Sequence, residues 1–148
     1  MGNVGDSHAI LGKLKGDKIV GTLLTEHHHA EVPSEKQRII SDGGMVVRNR
    51  VFGDLIISRS LGDLNYKIPK QEKNFVSAEP YLNRVALNSE YSFLILASDG
   101  LWDKFSFDEA AEFTYNHKKV FYANFILKFR LIFISRITFL LKKFVHYF

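Results

Sequence analysis

The sequence contains no cysteine among its 148 residues. This absence excludes disulfide bonds, thiol catalysis and zinc sites built from thiolate ligands. It also fits a reducing compartment, so we expect an intracellular protein, located in the cytoplasm, the nucleus or both. The early hydrophobic residues do not have the form of a signal peptide, because charged residues interrupt them, namely Lys13, Lys15, Asp17 and Lys18.

Most of the chain also lacks an excess of either charge. The formal net charge is +4, but residues 120–148 carry five basic residues and no acidic ones. Residues 1–119 therefore hold the other 15 basic residues and all 16 acidic residues. Because nucleic-acid binding requires a clustered basic face, we predict no nucleic-acid partner.

The last 29 residues, 120–148, lack glycine and proline and are rich in aromatic side chains. Charged residues divide them into short segments, whereas a membrane span needs about 20 apolar residues. One alternative is an amphipathic helix that contacts a membrane or a partner, since Phe121, Phe125, Phe129 and Phe133 recur at every fourth position. The other alternative is a tail that does not belong to the domain. Because these residues differ in composition from the rest of the chain, we place the boundary of the domain after residue 119.

Residues 93–103, FLILASDGLWD, begin with an apolar stretch typical of a buried strand. Asp99 lies where this strand ends, Gly100 permits a sharp turn with positive φ, and Asp103 adds a second carboxylate. Magnesium and manganese ions prefer oxygen ligands of this kind. The segment therefore predicts a divalent metal site, with a plain Asp-Gly turn as the alternative.

Short apolar segments predict the strands. Residues 8–14 and 19–24 flank a turn and form a predicted β-hairpin. Residues 45–47 and 55–57 are predicted as further strands, and residues 60–74 as a loop. Successive strands joined by turns favour an antiparallel α+β fold over regular βαβ units.

Two sequence patterns predict helix starts. Ser34 with Gln37, and Ser106 with Glu109, have the spacing of a capping box. The first helix is expected to end near Gly43, with its two isoleucines, Ile39 and Ile40, facing the core.

Several further motifs occur in one order along the chain. They are NVGDS at residues 3–7, Gly43-Gly44, RVFGDL at 50–55, SRSLGD at 58–63 and VSAEP at 76–80. Together with Ser98-Asp99-Gly100, they resemble the metal-dependent serine/threonine protein phosphatases of the PP2C (PPM) family over residues 2–117. The resemblance implies an α+β fold in which two antiparallel β-sheets pack as a sandwich flanked by helices, incomplete at both ends. Residues 1–119 would then be a partial phosphatase domain.

The resemblance implies hydrolysis of phosphoserine and phosphothreonine in phosphoprotein substrates by metal-activated water, with Mg²⁺ or Mn²⁺ as cofactor. Asp99 matches one of three acidic positions that hold the catalytic metals in that family. The other two belong to Asp-Gly-His and Asp-Asn segments, and neither segment occurs in this sequence. We therefore expect a truncated chain with weak or no activity. The alternative is a non-catalytic binding module similar to a pseudophosphatase.

Further positions carry an implied role. Asp6, Asp99 and Asp103 match the ligands of a third, more weakly held metal in many members of the family. Arg59 and Asp63 lie in a motif near the flap of the active site. Arg59 would contact substrate phosphate or form a structural ion pair, and Asp63 would act in catalysis or fix the geometry of a glycine turn.

The sequence departs from the family pattern at two places. His8 follows Gly5-Asp6-Ser7 where arginine is usual, and His27 stands where a carboxylate is expected. Three adjacent histidines, residues 27–29, point in different directions and lack a ligand spacing, so we predict no metal site there.

Overall fold

The computed structural model describes residues 1–67 and 74–117, together with the backbone of residues 131–134. The chain divides into two compact units. Unit 1 consists of Met1–Ser7 and Glu26–Asn83, and unit 2 consists of His8–Thr25 and Arg84–Phe148.

The described elements follow one another along the chain in short segments. The strands are β1 (Gly2–Asn3), β2 (His8–Lys15), β3 (Lys18–Leu23), β4 (Val46–Val47), β5 (Arg50–Val51), β6 (Tyr81–Leu82), β7 (Tyr91–Ala97) and β8 (Leu131–Ile134). The α-helices are α1 (Pro33–Ser41), α2 (Asp99–Trp102) and α3 (Phe107–Asn116), and Leu64–Tyr66 forms a 3₁₀ turn. The predicted α+β class is confirmed.

Unit 2 contains a four-stranded sheet in the order β3-β2-β7-β8. The β2–β3 pair is the predicted hairpin, and it aligns Ile10 with Leu23 and Lys15 with Lys18. Strand β7 is the predicted buried strand, pairs antiparallel with β2 and places Ile10 opposite Ile95. The remaining strand, β8, runs parallel to β7.

The core of unit 2 forms where one face of this sheet packs against α3. Alternate residues of a strand point to the same face, which explains the burial of Ile10 and Ile95 with exposed fractions of 0% and 1%. Helix α3 contributes its two buried alanines, Ala110 and Ala111. Gly21 permits the close approach of α3, because a Cβ atom there would lie 2.2 Å from the carbonyl oxygen of Phe107.

Helix α3 begins with the predicted capping box. The Ser106 hydroxyl accepts a hydrogen bond from the Glu109 amide at 3.3 Å, and the Glu109 carboxylate accepts one from the Ser106 amide at 2.8 Å. These bonds satisfy backbone donors that have no partner within the first turn of a helix.

Unit 1 consists of short elements joined by irregular segments. Strand β1 pairs with β6 and β4 pairs with β5, both antiparallel. Its core cluster contains four fully buried residues, Ala30, Ile39, Val51 and Val76.

The start of α1 differs from the prediction. Its N-cap is Val32, followed by a proline, and no side chain caps the helix, so the predicted Ser34–Gln37 capping box is wrong. Proline fits the first helical position because it has no amide proton to leave unpaired. Ile39 is buried as expected, but Ile40 is 52% exposed because consecutive helical residues cannot share one narrow face.

The structure differs from, or does not fully describe, three other predicted segments: the strand at 55–57, the loop at 60–74 and the amphipathic tail. Residues 55–57 do not form a regular strand, since only isolated bridges occur there, Val51 with Leu55 and His29 with Ile57. The predicted loop contains the 3₁₀ turn, and its residues 68–73 lie outside the described part. Of the predicted amphipathic positions in the tail, Phe121, Phe125 and Phe129 lie outside the described part, whereas Phe133 lies in strand β8. Within the described residues, no helix is long and apolar enough to cross a membrane.

Candidate functional site

Asp99 and Asp103 lie together at the end of β7. Asp99 is the first residue of α2, and the Asp103 amide donates to the Asp99 carbonyl at 2.8 Å, which closes one helical turn. Residues four apart project from the same side of a helix, so both carboxylates share one exposed face. Two exposed carboxylates in this arrangement fit a hard divalent cation.

The backbone at the start of α2 is held by local bonds. The Gly100 amide donates to Asp99 Oδ1 at 2.7 Å, and Trp102 Nε1 donates to the Ala97 carbonyl at 2.8 Å. The Trp102 ring also packs edge-on against Phe107, with 5.2 Å between ring centroids. Gly100 does not use the positive φ that glycine permits, because it lies inside the short helix.

Asp6 is placed in unit 1 by a glycine turn. Gly5 has φ of +99°, a conformation that favours glycine, and Asn3 Nδ2 donates to the Ser7 carbonyl at 3.0 Å across the turn. Asp6 Oδ2 lies 3.4 Å from His29 Nε2. Because Asp99 and Asp103 belong to unit 2, the three-aspartate metal site stays a prediction.

Arg59 is part of a charge network around the buried carboxylate of Glu35. Its guanidinium donates to Glu35 Oε1 from Nη2 at 2.7 Å and from Nε at 3.2 Å, and to the Glu79 carbonyl from Nη1 at 3.1 Å. Arg38 Nη2 donates to the other oxygen of Glu35 at 3.0 Å and also to the carbonyls of Ser58 and Phe75. Arg59 therefore forms the structural ion pair that the sequence left open as one alternative.

The electrostatics of this network favour an ionised Glu35. Its side chain is only 4% exposed, and this burial alone would raise its pKa. The hydrogen bonds from Arg59 and Arg38 outweigh burial and lower the pKa of Glu35 from 4.5 to about 2. The network thus links α1 to the SRSLGD motif through a single carboxylate.

Asp63 is an exposed residue in a tight turn. It adopts left-handed backbone angles, with φ of +49°, just before the 3₁₀ turn, and Gly62 before it has φ of +97°. Aspartate tolerates this conformation better than most residues. This conformation agrees with the second alternative from the sequence, in which Asp63 fixes the geometry of a glycine turn.

The two departures from the family pattern occupy different surroundings. His8 is buried in unit 2, where its Nδ1 lies 2.8 Å from Thr25 Oγ1 and its ring packs edge-on against Phe107. A buried hydrogen bond to a hydroxyl thus replaces the fixed positive charge of arginine. His27, by contrast, is exposed in unit 1.

The histidine segment separates into two faces. His28 points inward, is 1% exposed and accepts a hydrogen bond from the Gly5 amide at Nδ1. Its burial lowers the pKa of His28, and the positive charge of Arg59 lowers it further. His27 and His29 lie on the other face, with 3.7 Å between their ring centroids.

The absence of a metal site at these histidines stays a prediction, but its premise of divergent side chains does not hold for His27 and His29. One potential ligand atom each from His27, His29 and Glu31 lies within 4.8 Å of the others. Adjacent residues point to opposite faces of extended backbone, whereas residues two apart share a face. The signal in the sequence was therefore the His-x-His spacing of residues 27 and 29, whereas Glu31 joins them through a turn in which the Val32 amide donates to the His29 carbonyl at 3.1 Å. The pairing of Glu35 with Arg38 follows the i,i+3 spacing of one helix, whereas its pairing with Arg59 had no such signal, because Arg59 lies 24 residues away in another segment.

The sequence matches the family profile described as Protein phosphatase 2C over residues 1–127. The chain belongs to the PP2C family, whose members are metal-dependent and act on phosphoprotein substrates.

Individual relatives agree with this assignment. The chain is 40% identical over 125 residues to Protein spalten of Dictyostelium discoideum, covering 80% of this chain and 13% of that protein. It is 40% identical over 109 residues to Probable protein phosphatase 1N of Homo sapiens, covering 72% and 24% of the two chains. The crystal structure of a phosphatase from a pathogenic strain of Toxoplasma gondii matches with a TM-score of 0.68 and 30% identity, covering 83% of this chain and 38% of that chain. The chain thus spans less than two thirds of the length of these relatives.

Proposed function

We propose that this chain carries part of the metal-binding machinery of a protein serine/threonine phosphatase of the PP2C type. The observation that carries the proposal is the pair of exposed carboxylates, Asp99 and Asp103, one helical turn apart at the end of a buried strand. The reaction class would be hydrolysis of phosphoserine and phosphothreonine in a phosphoprotein. An intracellular location, in the cytoplasm or nucleus, is part of the proposal.

The donor set fits Mg²⁺ or Mn²⁺, because both ions prefer oxygen ligands. Asp99 and Asp103 would hold the ion. A divalent cation at such residues supplies positive charge that stabilises the phosphoryl oxygens and makes water a better nucleophile.

The protein groups contribute orientation. The Gly100 amide fixes Asp99 Oδ1, and the Trp102–Ala97 hydrogen bond fixes the helical turn that presents both carboxylates. The geometry of Arg59 favours a positioning role, since it joins Glu35 on α1 to the segment that leads to Asp63.

We further propose that the 148-residue polypeptide hydrolyses phosphomonoesters weakly or not at all. Asp99 is the only one of the three acidic positions of the family's catalytic metal pair that this sequence matches. The same observation favours the second candidate, a non-catalytic module that binds phosphoproteins.

The test combines Mn²⁺ binding, measured by electron paramagnetic resonance of the free ion, with phosphate release from a phosphothreonine peptide. We expect Mn²⁺ binding by the wild-type chain that is lost in Asp99→Asn and kept in the control Asp17→Asn, which alters an exposed hairpin turn. Phosphate release by the wild-type chain should be no higher than that by Asp99→Asn.

Unchanged Mn²⁺ binding by Asp99→Asn would overturn the assignment of the ligands. Manganese-dependent phosphate release well above that of Asp99→Asn would overturn the proposed lack of activity. Retention of the phosphopeptide without its hydrolysis would favour the binding module.

A further inference from the structure

A cluster of two imidazoles and one carboxylate lies on the outward face of residues 27–31 in unit 1. His27, His29 and Glu31 bring one ligand atom each within 4.8 Å of one another. In a tetrahedral zinc site, with metal–nitrogen and metal–oxygen distances of about 2.0–2.2 Å, ligand atoms lie about 3.3–3.6 Å apart. Small side-chain rotations would therefore bring the three atoms to coordination distance.

The backbone beneath this cluster is fixed on two sides. The His28 amide donates to the Gly5 carbonyl at 3.3 Å, and the Ser58 amide donates to the His28 carbonyl at 2.8 Å. The Ala30 amide donates to the Ile56 carbonyl at 2.9 Å. The buried side chain of His28 anchors the same segment, so His27 and His29 start from a defined backbone position.

The two nitrogens of His29 face different groups. Nδ1 lies 3.9 Å from Glu31 Oε1, and Nε2 lies 3.4 Å from Asp6 Oδ2. Histidine ligands of metals usually donate their second N–H to a carboxylate, which fixes the ring and makes the ligand more basic. Asp6 is placed to accept that hydrogen bond while Nδ1 binds the metal beside Glu31.

We infer that His27, His29 and Glu31 form a binding site for a transition-metal ion of the zinc type, with Asp6 as the positioning residue of His29. Imidazole ligands suit Zn²⁺ and its neighbours, whereas Mg²⁺ and Ca²⁺ prefer oxygen ligands. This ion is therefore chemically distinct from the one proposed at the aspartates. The inference does not rest on the proposed function, because its ligands belong to unit 1 alone.

The test is calorimetric titration of the full, untagged 148-residue chain with ZnCl₂ in excess Mg²⁺. We expect one zinc ion per chain, and at least a tenfold loss of affinity in His27→Gln and in His29→Gln. Glu31→Gln should also weaken binding. Asp6→Asn should lower the affinity by about 10–100-fold, the usual effect of removing a carboxylate that orients a ligand histidine.

Matched controls separate this site from other ligands. His117→Gln changes a partly exposed histidine at the C-cap of α3, and Asp99→Asn combined with Asp103→Asn removes the two carboxylates of the proposed aspartate site. Both should bind zinc as the wild type does. Circular dichroism of each variant checks the fold, and the exposed Glu31 provides a ligand variant with little structural cost.

Three outcomes would overturn the inference. They are no zinc binding by the wild-type chain, full binding by His27→Gln combined with His29→Gln, and loss of binding in the Asp99→Asn, Asp103→Asn variant. If the wild-type chain binds zinc but does not bind Mn²⁺, the proposed function is contradicted and the zinc site is not.

Discussion

The two units of this chain are stabilised by different kinds of residue. In unit 2, apolar side chains from neighbouring strands and α3 form the core around Ile10 and Ile95. In unit 1, the apolar cluster is small, and a buried carboxylate, Glu35, joins Arg38 to Arg59. The first arrangement follows from local sequence patterns, whereas the second depends on polar groups from separate segments. Unit 1 should therefore be sensitive to single charges, and unit 2 to lost apolar volume.

Glu35→Gln should have the largest effect and should destabilise unit 1. Removing one partner of a buried ion pair costs about 3–5 kcal/mol, because the remaining charges lose their compensation. Both Arg38 and Arg59 donate hydrogen bonds to this carboxylate. Urea unfolding followed by far-ultraviolet circular dichroism measures the change in free energy of unfolding.

The control for this variant is Glu112→Gln on the exposed face of α3. Exposed substitutions usually change the free energy of unfolding by less than about 0.5 kcal/mol. Equal stability of Glu35→Gln and Glu112→Gln would contradict the view that unit 1 depends on its charge network.

Ile10→Ala is the corresponding test of unit 2. Truncation of a fully buried isoleucine costs about 2–5 kcal/mol through lost burial and the cavity left behind. Trp102, the only tryptophan of the chain, lies in unit 2 and reports its unfolding by fluorescence. Ile40→Ala, at a 52% exposed position of α1, is the matched control and should cost much less. Similar losses for both variants would mean that Ile40 is buried after all.

Acid should weaken the contribution of Glu35. Its folded pKa of about 2 lies below the unfolded value of 4.5, so its stabilising effect is present above about pH 4.5 and is lost as the pH falls toward 2. A shift of this size corresponds to about 3 kcal/mol at most.

The measurement is the difference in free energy of unfolding between the wild type and Glu35→Gln across this pH range. The difference should shrink as the pH falls, whereas the difference between the wild type and Ile10→Ala should stay constant. A constant Glu35→Gln difference would argue against an ionised, paired Glu35.

The fold of unit 2 was easier to predict from the sequence than the fold of unit 1. Short apolar segments and a turn sufficed for the hairpin β2–β3, and an apolar stretch for β7. In unit 1, strands β4 and β5 have two residues each, and no period can be read from so few positions. The burial of Ile39 rather than Ile40 depends on how the face of α1 is oriented, which the local pattern did not fix.

The candidate sites were predictable to different degrees. Asp99 and Asp103 were paired from sequence because both follow the apolar stretch of β7, but the helical turn that joins them was not predicted. The outward pairing of His27 with His29 required knowledge that this segment is extended, which the bridge of His29 with Ile57 provides. The partners of Glu35 lie three and 24 residues away, and no sequence rule selects Arg59 over other basic residues.

The smallest predicted effect separates the two capping boxes that the sequence suggested. Ser106→Ala removes a hydroxyl that accepts from the Glu109 amide, so unit 2 should lose about 0.5–2 kcal/mol. Ser34→Ala should leave the free energy of unfolding nearly unchanged, because Val32 is the N-cap of α1 and no side chain caps it. The two variants make the same chemical change at exposed serines, so only the cap geometry distinguishes them.

Urea unfolding of both serine variants, followed by circular dichroism, measures this contrast. An equal loss in the two variants would mean that Ser34 does cap α1 and that the sequence pattern was right for both helices. The expected contrast would show that a capping-box pattern acts only where its first residue lies outside the helix. In α1, Pro33 takes the first helical position and places Ser34 inside the helix, where its hydroxyl cannot reach the amides that a cap serves.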